Sequence, residues 1–274
     1  MALRATAKRR RALCQTLANA DMSEVYLLEW TFTPADYFEE PVDFACELCS
    51  IHVENGKAEA RVPPAQYPAD HSARNQLHVE LDARFMGAQV LSHRPYTLSK
   101  PNLSRLHPDG RKDAWIFPET GTLVISGSTV DFVHRGADGN VIRDTKRDRI
   151  NGRIELSQLA ARYITDAVAN AILRSYAAAV NDPRNELVHL YEIRDSLSQH
   201  FGGESAATSA VGISAAQWSR LGHLADNEPF MQGRHRGKQL GALRDATASE
   251  LSEARELARR MVEGYLRHLH SSGA

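Results

Sequence analysis

Cysteine is scarce in this chain of 274 residues: three in all, an odd number and too few for the disulfide framework of a small secreted domain. Cys46 and Cys49 form Cys-Glu-Leu-Cys with His52 behind them, but a closed zinc site needs four ligands and no second pair exists. The segment reads as a strand, where residues three apart point to opposite faces, so no metal is expected. No stretch approaches the roughly 18 consecutive apolar residues of a membrane span. The basic run Lys8–Arg11 has no apolar segment behind it, as a secretory signal would. A cytoplasmic protein without membrane contact is the expectation. An excess of one charge is missing too: 33 basic residues stand against 34 acidic. That excludes a nucleic-acid packer coated in positive charge and leaves room for local patches. Also lacking are a catalytic-triad signature, a glycine-rich dinucleotide fingerprint, a Walker loop and paired carboxylates. Small-molecule metabolic catalysis is the least supported class, and no cofactor is expected.

What is present changes character along the chain. Residues 1–23 read as a basic tail or short helix, and residues 24–150 as a β-rich recognition domain. Glu24–Thr33 is rich in β-branched and aromatic residues, and Pro34 ends it. Asn55-Gly56 between extended flanks is a hairpin signal, because both turn positions need positive φ. In Gln76–Phe85 apolar Leu77, Val79, Leu81, Ala83 and Phe85 alternate with polar residues, the pattern of a half-buried antiparallel strand. Pro95–Pro118 reads as a long irregular excursion. Gly121–Ser128 and Thr129–Asp144 add strands, the last two joined through Asp138-Gly139-Asn140. The expected architecture is an antiparallel β-sandwich or open barrel.

After Ile150 the period becomes helical, and residues 151–274 are expected to form a four-helix bundle, making the chain α+β. Glu155–Val180 places Leu156, Leu159, Tyr163, Ile164, Val168, Ala171, Ile172 and Tyr176 near one stripe of a single long helix. A second helix should start at Pro183 with Asp182 as cap and stop at Gly202-Gly203. A third should be capped by Ser214, and a fourth by Thr247 or Ser249.

Two clusters carry chemistry. In Arg-Asn-Glu-Leu-Val-His, Arg184, Asn185 and His189 stand at a predicted helix start. Arginine fits phosphate oxygens with a permanently charged fork, histidine exchanges protons near neutrality, and a helix start offers free amide donors. Five residues at about 100° each put Arg184 and His189 roughly 140° apart, so one chain alone converges them poorly. The second cluster, Gly-Arg-His-Arg-Gly-Lys, places Arg234, His235, Arg236 and Lys238 in a glycine-rich loop able to wrap a phosphate. Both have plainer readings. His189 borders Leu190, Ile193 and Leu197 as a core-edge histidine would, and the loop arginines can pair with Asp226 or Glu228. Arg194 and His200 form another arginine–histidine pair of similar spacing. Trp115 and Trp218 offer faces on which bases can stack, or are core.

The Arg-Asn-x-x-x-His pattern at a helix start within a helical bundle resembles the HEPN superfamily of nucleic-acid-acting domains over residues 151–274. A β-rich domain before such a bundle is similar to bacterial abortive-infection and other antiphage proteins. The resemblance implies metal-independent RNA cleavage at a homodimer interface, with Arg184 on the phosphate and His189 in proton transfer. The expected partner is RNA or a nucleotide. The alternative is a non-catalytic adaptor: the bundle dimerises or docks, and the β domain binds a protein partner.

Overall fold

The computed structural model describes residues 24–115, 133–135, 141–234, 236 and 241–273. The chain is α+β. Nine strands and seven α-helices are found among the described residues, which fall into two compact units. One is drawn from Met1–His78 and Thr97–Leu123, the other from Val79–Tyr96 and Val124–Ala274.

The first unit is built on one antiparallel sheet. Its strands are β1 (Val25–Thr33), β2 (Val42–Ala45), β3 (Ser50–Glu54), β4 (Lys57–Val62), β5 (Thr97–Leu98), β6 (Asn102–Leu106) and β7 (Lys112–Trp115), in the order β2-β3-β4-β1-β6-β7 with β5 beside β1. That single path takes the place of the expected sandwich or barrel. Alternation sets the buried face: Leu28, Trp30 and Phe32 of β1, Ile51 and Val53 of β3, and Ala58, Ala60 and Val62 of β4 point inward. Register matches large to small across the ladder, with Leu28 opposite Ala60 and Trp30 opposite Ala58. Asn55-Gly56 makes the β3–β4 hairpin as its sequence dictates, with φ of 48° and 80°. Cys46 and Cys49 lie in the turn between β2 and β3, not within a strand, and the Cys46 amide donates to the Cys49 carbonyl at 2.8 Å. The excursion after Pro95 also differs from its reading. It contains β5, β6 and β7, because Pro95, Pro101 and Pro108 all fall in the connections, where no ladder N–H is needed.

The largest correction is at Gln76–Phe85. These residues are helical, within α1 (Ser72–Ser92). Leu77, Leu81 and Phe85 recur every four residues and are buried, whereas Val79, assigned to the same strand face, is 47% exposed. A run of alternating residues also contains an i, i+4, i+8 stripe, and the tertiary environment chose the helical one. Asp70 helps to start it by accepting from the Ser72 amide at 3.0 Å.

The second unit takes in α1 from Val79 onward. It holds a two-stranded ribbon, β8 (Val133–Arg135) and β9 (Val141–Asp144). Six helices follow, against the four expected: α2 (Thr145–Arg162), α3 (Ala167–Asn181), α4 (Glu186–Phe201), α5 (Glu204–Val211), α6 (Ala215–Gly222) and α7 (Ala248–Ser272). Gly121–Ser128 and Asp138-Gly139-Asn140 lie outside the described residues. The single helix expected over Glu155–Val180 is split, because Asp166 accepts from the Ala169 amide at 2.7 Å and caps a new start. Ser214 with Gln217 and Thr247 with Glu250 form reciprocal capping boxes for α6 and α7. Gly202, at φ 73°, ends α4. Tyr176, Leu190, Ile193, Leu197, Trp218, Met261 and Tyr265 are all buried in one core.

Candidate functional site

Pro183–Asn185 forms a 3₁₀ turn that leads directly into α4. Asp182, expected as the cap, makes no side-chain cap hydrogen bond to the turn and gives its carboxylate chiefly to side chains. Its Oδ2 accepts from Asn185 Nδ2 at 2.7 Å and lies 3.5 Å from His189 Nε2. Asn185 first, and then His189, hold the Asp182 carboxyl below the usual range. The spacing i, i+3, i+7 put Asp182, Asn185 and His189 on one side of the turn, a signal that was legible in sequence. On its other nitrogen, Nδ1, His189 lies 3.5 Å from Glu192, whose carboxylate also accepts from the Ser175 hydroxyl at 3.2 Å. Both imidazole nitrogens therefore face carboxylates. The Arg184 side chain is exposed and makes no hydrogen bond or ion pair with another described residue.

The two clusters chosen from sequence meet. Arg236 donates through Nη2 to the Asn185 side-chain oxygen and, at 3.3 Å, to the Arg184 carbonyl. Its Nε donates to the Gly233 carbonyl at 3.0 Å. All three partners are neutral oxygens, so its charge stays uncompensated within these contacts, at the helix start where backbone amides add positive potential. Arg234 does something different. Its guanidinium lies 3.9 Å from the Tyr191 ring centroid and pairs with Asp195 at 3.3 Å and Asp226 at 3.8 Å. His235 and Lys238 lie outside the described residues. The pair Arg194 and His200 is not assembled as a site. Arg194 donates to the Tyr191 hydroxyl at 2.6 Å, pairs with Glu204 and packs on the buried Trp218 ring, while His200 meets the Phe201 and Tyr265 rings.

Beneath the surface, Glu186 anchors the start of α4. It is 1% exposed and takes both arms of Arg255 of α7, at 2.5 and 2.8 Å. His93, at the end of α1, lies 3.5 Å from the same carboxylate and 3.3 Å from the Tyr176 hydroxyl. Burial first, and then Arg255, push the His93 imidazole down to about 4, so it is neutral at physiological pH. Sequence reading missed Glu186, Arg255 and His93, since partners 69 and 93 residues apart leave no local pattern.

Among the described residues no group of three or more histidine, cysteine or acidic side chains is placed to hold a metal ion, and no helix is long and apolar enough to cross a membrane. No protein-family model, no curated protein and no solved structure matches the chain.

Proposed function

We propose that the helical unit is an HEPN-like module that binds RNA or a nucleotide through phosphate, with the start of α4 as its site. One observation carries this reading: Arg236 crosses from its loop to Asn185 and the Arg184 carbonyl. It adds a second guanidinium, bound only to neutral oxygens among the described residues, to a helix start that already presents Arg184. The cleavage that the resemblance implies would have the 2′-oxygen attack phosphorus while its proton passes to an imidazole. The 5′-oxygen would then leave, take up a proton and produce a 2′,3′-cyclic phosphate. The geometry supports binding more directly than cleavage. A 2′-hydroxyl at His189 would compete with Asp182, which is within hydrogen-bond distance of Nε2, and with Glu192, which stands 3.5 Å from Nδ1. That occupied imidazole also favours a second reading, the non-catalytic adaptor.

The test is RNA affinity across a salt series for wild type, Arg184→Ala, Arg236→Ala and Arg234→Ala, with thermal melts and a chelator-treated cleavage assay alongside. Arg184→Ala and Arg236→Ala are expected to weaken binding for every sequence and to flatten the salt dependence by about one unit each. Arg234→Ala is expected to leave affinity alone and to cost about 1 kcal/mol of stability through its ring contact. Unchanged affinity and slope in the first two variants would remove the phosphate site. Affinity that responds to them without any cleavage product would leave binding as the function.

A further inference from the structure

On the sheet unit, four aromatic rings close a circuit. Tyr26 stacks on Tyr67 with centroids 4.0 Å apart, Tyr67 meets His71 at 5.6 Å, His71 meets Trp115 at 5.6 Å, and Trp115 returns to Tyr26 at 6.4 Å. Register explains how distant residues arrive together. Tyr26 of β1 lies opposite Arg105 of β6, and Leu103, two residues earlier on β6, lies opposite Trp115 of β7. Tyr26, Arg105 and Trp115 therefore continue the face that buries Leu28 and Trp30, at the end where apolar side chains give way to aromatic and charged ones. His71, at φ 58°, is exposed, and Tyr26 and Trp115 are half-buried, so ring surface remains open.

Two further features bear on what such a surface would hold. Tyr67 is only 7% exposed, yet its buried hydroxyl has no hydrogen-bond partner among the described residues. Leaving such a group unmet is costly, and burial accordingly pushes its acidity down, to a pKa of about 12. Cations flank the rings: the Arg105 guanidinium stands 5.6 Å from the Tyr26 centroid, and Arg74 acts electrostatically on Tyr67. Three carboxylates also stand near and are engaged: Glu24 by Arg105 and His107, Asp113 by His107, and Asp70, which acts electrostatically on Tyr67, by the Ser72 amide. A quaternary ammonium would meet guanidinium groups there, whereas a planar base carrying a phosphate would find ring faces and the Arg105 guanidinium, which gives only its Nε to Glu24 among the described residues.

We propose that Tyr26, Tyr67, His71 and Trp115 form a nucleobase-stacking site, with Arg105 beside it for the attached phosphate. The base belongs either to a free nucleotide or to single-stranded RNA, and the two sources share this chemistry. The site belongs to the sheet unit, and the inference rests on the proposed RNA or nucleotide binding, which it extends to that unit.

The experiment titrates the full chain with adenosine and uridine monophosphates, with ten-nucleotide single-stranded adenosine and uridine RNA, and with tetramethylammonium. Calorimetry gives affinity, and the His71 imidazole resonances report ring stacking directly. In wild type, a nucleotide or an oligonucleotide is expected to bind and to shift the His71 signals. Trp115→Ala and Tyr26→Ala should each weaken that binding by roughly five- to a hundredfold, and Trp115→Phe should retain most of it. If only the oligonucleotides bind, RNA is the source; if the monophosphates bind as well, free nucleotide suffices. Binding without any His71 shift, or unchanged by both alanine variants, would overturn the proposal. So would binding of tetramethylammonium alone, or of none of the probes. Wild-type His71 shifts still decide the matter if an alanine variant unfolds. Arg184→Ala separates the two sites: binding lost there but kept in Trp115→Ala leaves the α4 site standing and removes this one, and the reverse outcome does the opposite.

Discussion

His93 shows how one side chain can tie stability to pH. Its imidazole is held near 4 in the fold, against the usual 6.5, by burial and by the Arg255 charge, with Glu186 opposing. The unfolded chain therefore takes up a proton on this residue first as pH falls. The contribution is complete above about 6.5 and is lost progressively down to about 4, below which it stays lost. With 22% of the side chain exposed, the loss is on the order of 3 kcal/mol. Denaturant melts of wild type and His93→Gln between pH 7.5 and 4 should converge as pH falls, because only wild type carries this term. Parallel curves would mean that the histidine is solvated in the native state. At the same scale, Asp182 shows how a residue suited to one task by position takes another. Its place before Pro183 suits a helix cap, but Asn185 and His189 offer charge-assisted partners three and seven residues on, and the side chain turns to them.

Between elements, the approach of α1 to α2 rests on a glycine inside a helix. A methyl group at Gly87 would lie 2.6 Å from the Leu156 carbonyl oxygen and 2.8 Å from the Ser157 Cα, both backbone atoms that cannot turn aside. Two effects compete in Gly87→Ala. Helix propensity favours alanine by about 1 kcal/mol. Overpacking costs roughly 1–3 kcal/mol and, against backbone, tends to the upper part of that range. The expected outcome is a net loss of about 1–2 kcal/mol in chemical denaturation. A more stable variant would show that the two helices separate freely. Gly152, where the added carbon meets only the Leu91 Cδ1 at 3.6 Å, is the matched control: Gly152→Ala should be neutral or stabilising.

For the whole molecule, the helical unit is not one continuous stretch of sequence. Ala83, Met86 and Val90 of α1 belong to the same core as Leu156, Tyr176 and Leu190, and His93 closes over Glu186. A fragment of residues 151–274 is therefore expected to give a helical circular dichroism spectrum but to melt well below the full chain. Three apolar side chains leave its core, each worth on the order of 1–3 kcal/mol, and a buried carboxylate becomes more exposed to water. A melt equal to that of the full chain would show that α1 contributes nothing to this core, and a random-coil spectrum would deny the unit independent folding.

Local chemistry determined what was legible from sequence alone. The Asn55-Gly56 hairpin, the Ser214 and Thr247 caps, the Gly202 stop and the strand character of Val25–Thr33 need only a residue and its near neighbours, and all can be read within a few positions. The Arg184, Asn185 and His189 cluster and the Gly233–Lys238 loop were visible as patches of suitable residue types. Their meeting was not, because Arg236 and Asn185 lie 51 residues apart and nothing in either segment specifies the other. The same holds for Arg255 on Glu186 and for Trp115 beside Tyr26. Gln76–Phe85 marks the boundary between the two kinds of information. Its residues satisfy a period of two and a stripe at every fourth position equally well, so the sequence leaves strand and helix both open. The helix won because the surrounding structure buries Leu77, Leu81 and Phe85 and leaves Val79 to solvent, a choice that only the packed molecule makes.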